Sequence, residues 1–235
     1  GDKMEFKEVM NQLANLGTEQ TRKIYKNHGA DIDMYGVSIA NLKKVLKPIK
    51  KDFRLGFQLL NSTNVDAIYM SQWMVDSDML TINDLEKVLD TTNYYMIIDN
   101  VIPQIAIRNL ALTYECISSW ISHSNHIYRQ AAYTLYALLV GVLPDDELDL
   151  VDIRSKLDYI SINIHSEENR VRYSMNSFVI SVGIYIKDLT EIAKFTANTI
   201  GKVKVTMGKT SCKVPFAPDY IKKVENMNRI GRKRQ

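Results

Sequence analysis

A proline separates two helix-forming runs in the stretch Asn41-Leu-Lys-Lys-Val-Leu-Lys-Pro-Ile-Lys-Lys-Asp-Phe-Arg-Leu-Gly-Phe-Gln-Leu-Leu60. Its apolar residues recur three or four positions apart, a spacing that places them on one face of an α-helix. They are Leu42, Val45, Leu46 and Ile49, followed by Leu55, Leu59 and Leu60. Because an α-helix does not run uninterrupted through a proline such as Pro48, the stretch predicts short helices joined by a tight loop.

The same spacing extends along almost the whole chain, and short polar breaks divide it into segments. Later examples are Leu85, Val88 and Leu89, followed by Ile105, Leu110 and Leu112. Two breaks contain helix-capping residues, because Asn64 precedes a helix over residues 65–75 and Thr81 precedes Asp84 at the spacing of a helix start. We therefore predict about ten helices of about ten to twenty residues. Residues 1–198 show no alternation of helices with strands, which excludes a doubly wound sheet.

Pairs of such helices predict a repeat architecture. Two successive helices with a tight loop make a unit of about 35 to 45 residues, the size of a HEAT-type repeat. The units share little sequence, so the prediction rests on the number and spacing of the helices. We predict an all-α fold, a HEAT-like helical-repeat solenoid (an α-α superhelix), that forms one domain over residues 4–235. Such a stack presents a concave face, which suits a rod-like partner such as a DNA duplex.

One segment, residues 202–215, departs from the helical pattern. Polar and apolar residues alternate on both sides of Gly208. The apolar positions are Val203, Val205, Met207, Cys212 and Val214. A period of two around a glycine-containing turn predicts a small β-hairpin. Its lysine face would point outward and contact nucleic acid, and the alternative is a hairpin that only caps the helical stack.

The positive charge of the chain is concentrated near its C-terminus. Residues 199–235 contain ten basic and two acidic residues, a net charge of +8, and the other twenty basic and twenty-five acidic residues leave −5. The ten are Lys202, Lys204, Lys209, Lys213, Lys222, Lys223, Arg229, Arg232, Lys233 and Arg234. This segment, with a basic tail over residues 222–235, predicts a polyanionic partner. A tail that only aids solubility is the alternative.

Several other functions are not predicted. The four histidines form no His-x-x-x-His pair and join no cysteine at ligand spacing, so we expect no metal. Residues 207–210 read Met-Gly-Lys-Thr, but position 203 is valine where a phosphate-binding loop has glycine, so we expect no cofactor. The longest apolar stretch, residues 131–143, is too short to cross a membrane, and the N-terminus has no signal segment. We expect a cytoplasmic monomer.

Three further segments carry motifs in a fixed order. They are Tyr35-Gly-Val-Ser-Ile-Ala-Asn-Leu-Lys-Lys44, Asn93-Tyr-Tyr-Met-Ile-Ile-Asp99 and Trp120-Ile-Ser-His-Ser-Asn-His-Ile-Tyr-Arg-Gln-Ala132. They resemble the Gly-Val helix start, the Trp-Trp-Asp-x-Val-Asp motif and the Trp, Ser-x-Asn, aromatic-Arg-Arg-Ala stretch of the AlkD-like DNA alkylation-repair superfamily. The resemblance covers most of the chain. It implies HEAT-like repeats, a basic concave DNA-binding cleft and, in the active members, excision of cationic alkylated purines.

The resemblance implies roles for individual residues. In the active members an aspartate stabilises the oxocarbenium-like sugar and positions water, with tryptophans around the lesion. Asp99 matches this aspartate, and Tyr95 takes the place of one tryptophan. A structural role for Asp99, as a capping or hydrogen-bonded residue, is the alternative. Arg129 keeps one member of the Arg-Arg pair, and Gln130 replaces the other.

A later helix separates the chain from the active glycosylases. In Arg170-Val-Arg-Tyr-Ser-Met-Asn-Ser-Phe178, the residues nearest to another tryptophan position of the active members are Ser177 and Phe178. Because aromatic faces bind a cationic lesion, the loss of indoles removes part of the discrimination for a damaged base. The chain is closer to the AlkF/AlkG-like branch, which has the same scaffold, an inserted β-hairpin, little base-excision activity and an association with branched DNA.

Three functions remain open at this point. The leading hypothesis is a DNA-binding protein that recognises DNA structure, such as branched DNA, with little or no base excision. Its phosphate contacts would come from Arg129, Arg170, Arg172, Lys202, Lys204, Lys209 and Lys213. The first alternative is a DNA glycosylase that excises cationic alkylated purines, with Asp99 and Tyr95 as catalytic residues. The second is a helical-repeat scaffold for another protein.

Overall fold

The regular structure of residues 4–235, as described by a computed structural model, consists of helices and contains no β-strand. Thirteen α-helices follow one another in this range. They are α1 Phe6–Leu16, α2 Glu19–Asn27, α3 Ile39–Leu46, α4 Phe53–Leu60, α5 Val65–Ser71, α6 Ile82–Leu89, α7 Ile102–Ala106, α8 Leu110–Trp120, α9 His126–Val142, α10 Leu150–Asn163, α11 Asn169–Tyr185, α12 Thr190–Ile200 and α13 Ala217–Asn226. A π-helical turn, Met96–Val101, runs directly into α7.

The chain divides into two compact units. The first contains residues 4–115 together with Gly208–Thr210, and the second contains Cys116–Met207 and Ser211–Gln235. The boundary between them lies inside α8. The single domain over residues 4–235 stays a prediction.

The stretch around Pro48 forms α3 and α4 of the first unit. Their apolar faces are buried together with residues of α1 and α5. The fully buried members include Leu42, Leu55 and Leu59, with Val9 and Leu13 from α1 and Met70 from α5. Removing each large apolar side chain from water contributes about 1.5–3 kcal/mol. The face predicted from the spacing is therefore the face that forms the core.

Polar side chains determine where several helices of the first unit begin. The Asn64 Oδ1 atom accepts a hydrogen bond from the Ala67 N–H at 3.1 Å and caps α5. Thr81 and Asp84 form a reciprocal capping box at the start of α6. Both predicted caps are confirmed, although α5 ends at Ser71 rather than at residue 75. Because such breaks are frequent, the helices of residues 4–235 are more numerous than predicted, and the shortest has five residues.

Two helices of seventeen residues, α9 and α11, form the centre of the second unit. Tyr133 of α9 meets Phe178 of α11 edge to face, with ring centroids 5.9 Å apart, and both side chains are buried. Helices α12 and α13 pack against α11. Phe178, the aromatic residue nearest to the missing tryptophan position, is thus a core residue. The apolar residues 131–143 lie largely in α9, and among the described helices none has the length and apolar character that crossing a membrane requires.

The predicted β-hairpin over residues 202–215 is wrong, because no residue in this range belongs to a β-strand. The alternation does hold before the turn, where Val203 is buried while Lys202 and Lys204 are exposed. Gly208 forms the turn with a φ of 67°, in the left-handed region that favours glycine. The limbs do not pair with each other because backbone groups bind side chains instead. Asn169, for example, accepts from the N–H of Thr206 and donates to its carbonyl.

Candidate nucleic-acid interface

A cleft of about 870 Å³ opens in the second unit, and we call it the lysine cleft. Its lining comes mainly from the two limbs on either side of the turn, with one residue each from α11 and α13. The basic lining residues are Arg172, Lys202, Lys204 and Lys213. The apolar ones are Val203, Val205, Met207, Val214, Pro215 and Phe216. Positive charge and apolar surface therefore meet in one cavity.

Two side chains of α11 hold the backbone of the lysine cleft. Asn169 accepts the Thr206 N–H at 2.7 Å and donates to the Thr206 carbonyl at 2.8 Å. The Nε atom of Arg172 donates to the Lys204 carbonyl at 2.7 Å, and its Nη1 atom donates to the Glu167 carbonyl. Hydrogen bonds from a charged donor contribute about 1.5–3 kcal/mol each. The guanidinium of Arg172 is therefore engaged in positioning the cleft.

The lysines of the cleft extend into solvent. Lys202, Lys204 and Lys213 are all exposed. Asp219 carries the one carboxylate among the described residues that line the cleft. Because Arg172 holds the carbonyl of Lys204, the backbone at that position is fixed while the ammonium group remains in water. This arrangement concentrates positive charge at a wide opening, as contacts with several phosphates require.

Arg129 of α9 forms a bidentate ion pair with Glu167. The Nε–Oε2 and Nη2–Oε1 distances are 2.8 and 2.7 Å, and the two side chains are only 18% and 11% exposed. The Nη1 atom also donates to the carbonyls of His123 and Ser124. The hydrogen bond to Glu167 raises the pKa of Arg129. Burial raises the pKa of Glu167, but hydrogen bonds from Arg129 and the Glu168 backbone outweigh burial, so the net shift is downward.

The other two predicted phosphate contacts belong to different units. In the second unit, the Arg170 guanidinium lies 4.5 Å from the centroid of the Tyr173 ring. In the first unit, the N–H of Lys209 donates to the Asn27 carbonyl at 3.1 Å. The neighbouring Gly208 has no room for a side chain, because a Cβ atom would clash with the same carbonyl oxygen. Six of the seven predicted contacts thus belong to the second unit, and Lys209 belongs to the first.

The basic tail over residues 222–235 is folded against its own unit. It begins in α13 and continues to the C-terminal end of α9. Lys233 forms an ion pair with Asp145 at 2.7 Å. The backbone N–H of Arg234 donates to the Gly141 carbonyl at 2.7 Å. Part of the tail's charge is therefore used within the protein.

The two residues matched to glycosylase chemistry lie at the π-helical turn of the first unit. Tyr95 directly precedes the turn, and Asp99 lies within it and is half-buried. The Tyr95 hydroxyl is 2.9 Å from the Nδ1 atom of His28. The Tyr95 ring also contacts Tyr94 edge to face, with centroids 5.6 Å apart. Turns of this kind are rare in proteins and are frequent at functional sites.

The neighbouring Tyr94 is buried and lines a small pocket with Tyr25, Tyr69 and Asp66. Burial, reinforced by the negative charge of Asp66, raises the pKa of Tyr25 to about 12. Burial also raises the pKa of Tyr94. The pocket has about 30 Å³, room for roughly one water molecule rather than a base. Asp66 accepts the backbone N–H groups of residues 35–37 and so anchors the first sequence motif.

Comparison with known families decides the classification. Residues 9–214 match the family described as DNA alkylation repair enzyme. The chain belongs to the DNA alkylation repair enzyme family. Uncharacterized proteins of Listeria innocua and Listeria monocytogenes are 34% and 32% identical to it. Each alignment spans 227 residues, which is 94% of this chain and 97% of the relative.

A solved structure shares the whole fold of this DNA alkylation repair family member. It belongs to a protein described as one of a new family related to the HEAT-like repeat DNA glycosylases with affinity for branched DNA structures. The TM-score is 0.87 at 29% identity, and the match covers 98% of both chains. This family member therefore has the all-helical, HEAT-like repeat fold that its sequence predicts.

Two residues that position the second motif of this family member were missed from the sequence. Asp31 accepts hydrogen bonds from the Thr92 hydroxyl at 2.6 Å and from the Asn93 N–H at 2.8 Å. His28 bonds to Tyr95. Each of these partners lies more than 60 positions away in sequence. No local pattern in the sequence indicates such distant pairs. The role of His28 and Asp31 in positioning the second motif could therefore not be predicted.

Proposed function

We propose that the protein binds DNA by its structure rather than its sequence, prefers branched DNA and has little or no base-excision activity. Membership of the DNA alkylation repair family and the neighbour described as having affinity for branched DNA support this proposal. The resemblance to the AlkF/AlkG-like branch agrees with it. One copy of the chain is enough to bind one DNA branch.

The lysine cleft is the observation that carries the proposal. Lys202, Lys204 and Lys213 are exposed around one cleft, and side chains of α11 bind the backbone at Lys204 and Thr206 on one limb and at Pro215 on the other. Phosphate contacts position a protein on DNA without reading the bases. Three ammonium groups on a fixed backbone can contact phosphates of more than one strand where strands diverge, whereas a uniform duplex offers a single regular surface. Lys209 and Arg170 are further proposed contacts.

The decisive measurement is the affinity for matched linear, three-way and four-way DNA across a salt series. We expect the branched DNAs to bind more tightly than the linear DNA at every salt concentration. We also expect steep salt dependence, because each neutralised phosphate contributes a slope of about −0.9 in log K against log salt. The stoichiometry at saturation tests whether one chain occupies one branch. Equal affinity for the three DNAs would remove the preference for branches.

Charge reversal tests the location of the site. Lys204→Glu combined with Lys213→Glu should lower the affinity for branched DNA by at least about tenfold, because two phosphate contacts become repulsive. Lys87→Glu, on α6 of the first unit, changes the net charge at an exposed lysine outside the cleft and serves as the control. If the control weakened binding as much per charge as the cleft variant, the site would lie elsewhere.

Base excision is the second candidate, and the π-helical turn is the observation that favours it. Asp99 lies within this turn, and Tyr95, held by His28, directly precedes it. We propose that Asp99 and Tyr95 retain at most weak activity, because the later helix has Phe178 in the core instead of an indole at the site. The test is release of a cationic alkylpurine from treated DNA by the protein and by Asp99→Asn. Robust release that depends on Asp99 would make the protein a glycosylase.

A further inference from the structure

The lysine cleft combines a charged surface with an apolar surface, and a paired duplex would not contact both of them. Its opening carries ammonium groups, and its wall includes the Phe216 side chain, which is 44% exposed. Val205, Met207 and Val214 line the same cleft and are half-buried. A phosphate gains nothing from an aromatic ring or from valine and methionine side chains. The cleft therefore fits a ligand with both a charged and an apolar part.

Among the parts of a branched DNA, an unpaired nucleotide has both of these properties. In a paired duplex the base faces are stacked inside, and only phosphates, sugars and groove edges reach the surface. Where strands exchange, bases that lose their partners expose their faces. Single-stranded DNA is bound in general by a positive groove that follows the backbone and by aromatic side chains on which bases stack. The volume of about 870 Å³ lies within the range of pockets that enclose small organic ligands, about 300–1,000 Å³.

We infer that the lysine cleft takes an unpaired nucleotide of branched DNA, with its phosphates on the lysines and its base stacked on Phe216. This inference rests on the proposed function and specifies which part of the branch enters the cleft. Phe216 is the residue before the first turn of α13 and has an extended backbone, with φ −81° and ψ 109°. The start of the helix thus fixes the backbone that carries the ring.

A substitution of Asp219 separates the contribution of charge to DNA affinity from the contribution of base stacking. Its carboxylate lines the same cleft and repels phosphates, whether or not a base enters. Asp219→Asn should therefore raise the affinity for paired and unpaired DNA by similar factors. A change at Phe216 should act only where an unpaired base is present.

The test compares four DNAs: a linear duplex, a fully paired four-way junction, the same junction with three unpaired thymines at the branch, and a single-stranded oligothymidylate. Phe216→Ala should lower the affinity for the last two by about tenfold, the usual effect of losing one base-stacking ring. The affinity for the duplex and the fully paired junction should change by less than about twofold, since neither DNA offers an unpaired base. Phe216→Tyr keeps an aromatic face and should restore binding. Phe195→Ala removes a ring that is 75% exposed on α12 and does not line the cleft, and it should leave all four affinities unchanged.

A fluorescent base gives a second measurement of stacking. With 2-aminopurine in place of one unpaired thymine, the wild-type protein should quench the emission and Phe216→Ala should not. Circular dichroism and the unfolding midpoint establish that each variant is folded. Equal loss of affinity for all four DNAs, or unchanged affinity for the unpaired ones, would overturn the inference. If the wild-type protein preferred the paired junction to the duplex while Phe216→Ala had no effect, the proposed function would stand and only this inference would fail.

Discussion

Arg129 and Arg172 carry the same charge as the lysines that line the cleft, and the protein uses the two sets of residues in different ways. Arg129 and Arg172 donate hydrogen bonds to Glu167 and to backbone carbonyls. Lys204 and Lys213 extend into water at the cleft. The planar guanidinium fits pairs of oxygen atoms, whereas the ammonium group is strongly hydrated and sits on a flexible stem. Of the cationic positions proposed from the sequence, Lys204 and Lys213 are therefore exposed to a partner, whereas the guanidinium groups of Arg129 and Arg172 are engaged within the protein.

The loss of the Arg129 guanidinium should change the stability of the protein more than any other substitution considered for these cations. Arg129→Ala should lower the free energy of unfolding by about 3 kcal/mol, because it leaves the mostly buried Glu167 carboxylate without its partner. The carbonyls of His123 and Ser124 lose their donor in the same variant. Denaturant unfolding measures the change. The affinity of the folded fraction for branched DNA should stay within about twofold of wild type, since the Arg129 guanidinium is already occupied by protein groups.

A substitution of a cleft lysine is the matched control for the stability loss expected from Arg129→Ala. Lys204→Ala removes an exposed side chain and should change the free energy of unfolding by less than about 0.5 kcal/mol. Its effect should appear in DNA affinity instead. A Lys204→Ala protein as unstable as Arg129→Ala, or an Arg129→Ala protein that is stable and fails to bind DNA, would contradict the division between the engaged arginines and the cleft lysines.

Arg172→Lys should have an intermediate effect on stability, because it keeps the charge but replaces the planar guanidinium group with an ammonium group. The bonds to the Lys204 and Glu167 carbonyls cannot both be made by one ammonium group in the same geometry. We expect a loss of about 1.5 kcal/mol in stability, the value of one charge-assisted hydrogen bond. Hydrogen exchange at residues 203–207 should accelerate. Unchanged exchange there would mean that Asn169 alone holds the segment.

Lys204→Gln should have a smaller effect, which concerns the salt dependence of DNA affinity. The slope of log K against log salt for branched DNA should become shallower by about 0.9, as for the loss of one phosphate contact. Arg129→Lys retains a charge that faces Glu167 and should leave the slope unchanged. The salt series measures both slopes, and identical slopes for wild type and Lys204→Gln would show that Lys204 contacts no phosphate.

The smallest effect concerns pH. Because the folded state holds the pKa of Glu167 below its ordinary value of 4.5, the carboxylate stabilises the fold above that value. The contribution is lost as pH falls through the lower folded pKa. The stability difference between wild type and Glu167→Gln should therefore be full at neutral pH and shrink in acid well below 4.5. Thermal unfolding of both proteins over this range checks the trend, and a difference that grew on acidification would contradict the sign.

The class of fold could be predicted from the sequence because helix formation depends on local spacing and local caps. Leu42 and Leu55 show this for the core, and Thr81 with Asp84 shows it for a helix start. The prediction of a β-hairpin over residues 202–215 was wrong because it, too, used only local spacing. Alternation around Gly208 does predict an extended segment with a turn, but it does not identify the hydrogen-bonding partner. The partner of Thr206 is Asn169, 37 positions away.

The site could be predicted only in part. Exposed lysines in an alternating segment indicated the cleft, and the structure brings Lys202, Lys204 and Lys213 together around it. The engagement of Arg129 depends on Glu167, which is 38 positions away. Phe216 was not recognised, because one aromatic residue before a helix has no distinctive pattern. Its position became informative only when the structure placed it in the same lining as the lysines.

The pairing of Asn169 with Thr206 has a consequence for how this protein can change over generations. It holds the extended segment in register, and residues 202, 204 and 206 are exposed while residues 203, 205 and 207 are buried or half-buried. Inserting one residue between Lys204 and Thr206 would turn the following side chains to the opposite side, burying polar groups and exposing apolar ones. Substitutions at the exposed positions leave this register intact. Substitutions can therefore change the chemistry of the exposed side chains of this segment one residue at a time, whereas insertions and deletions are selected against.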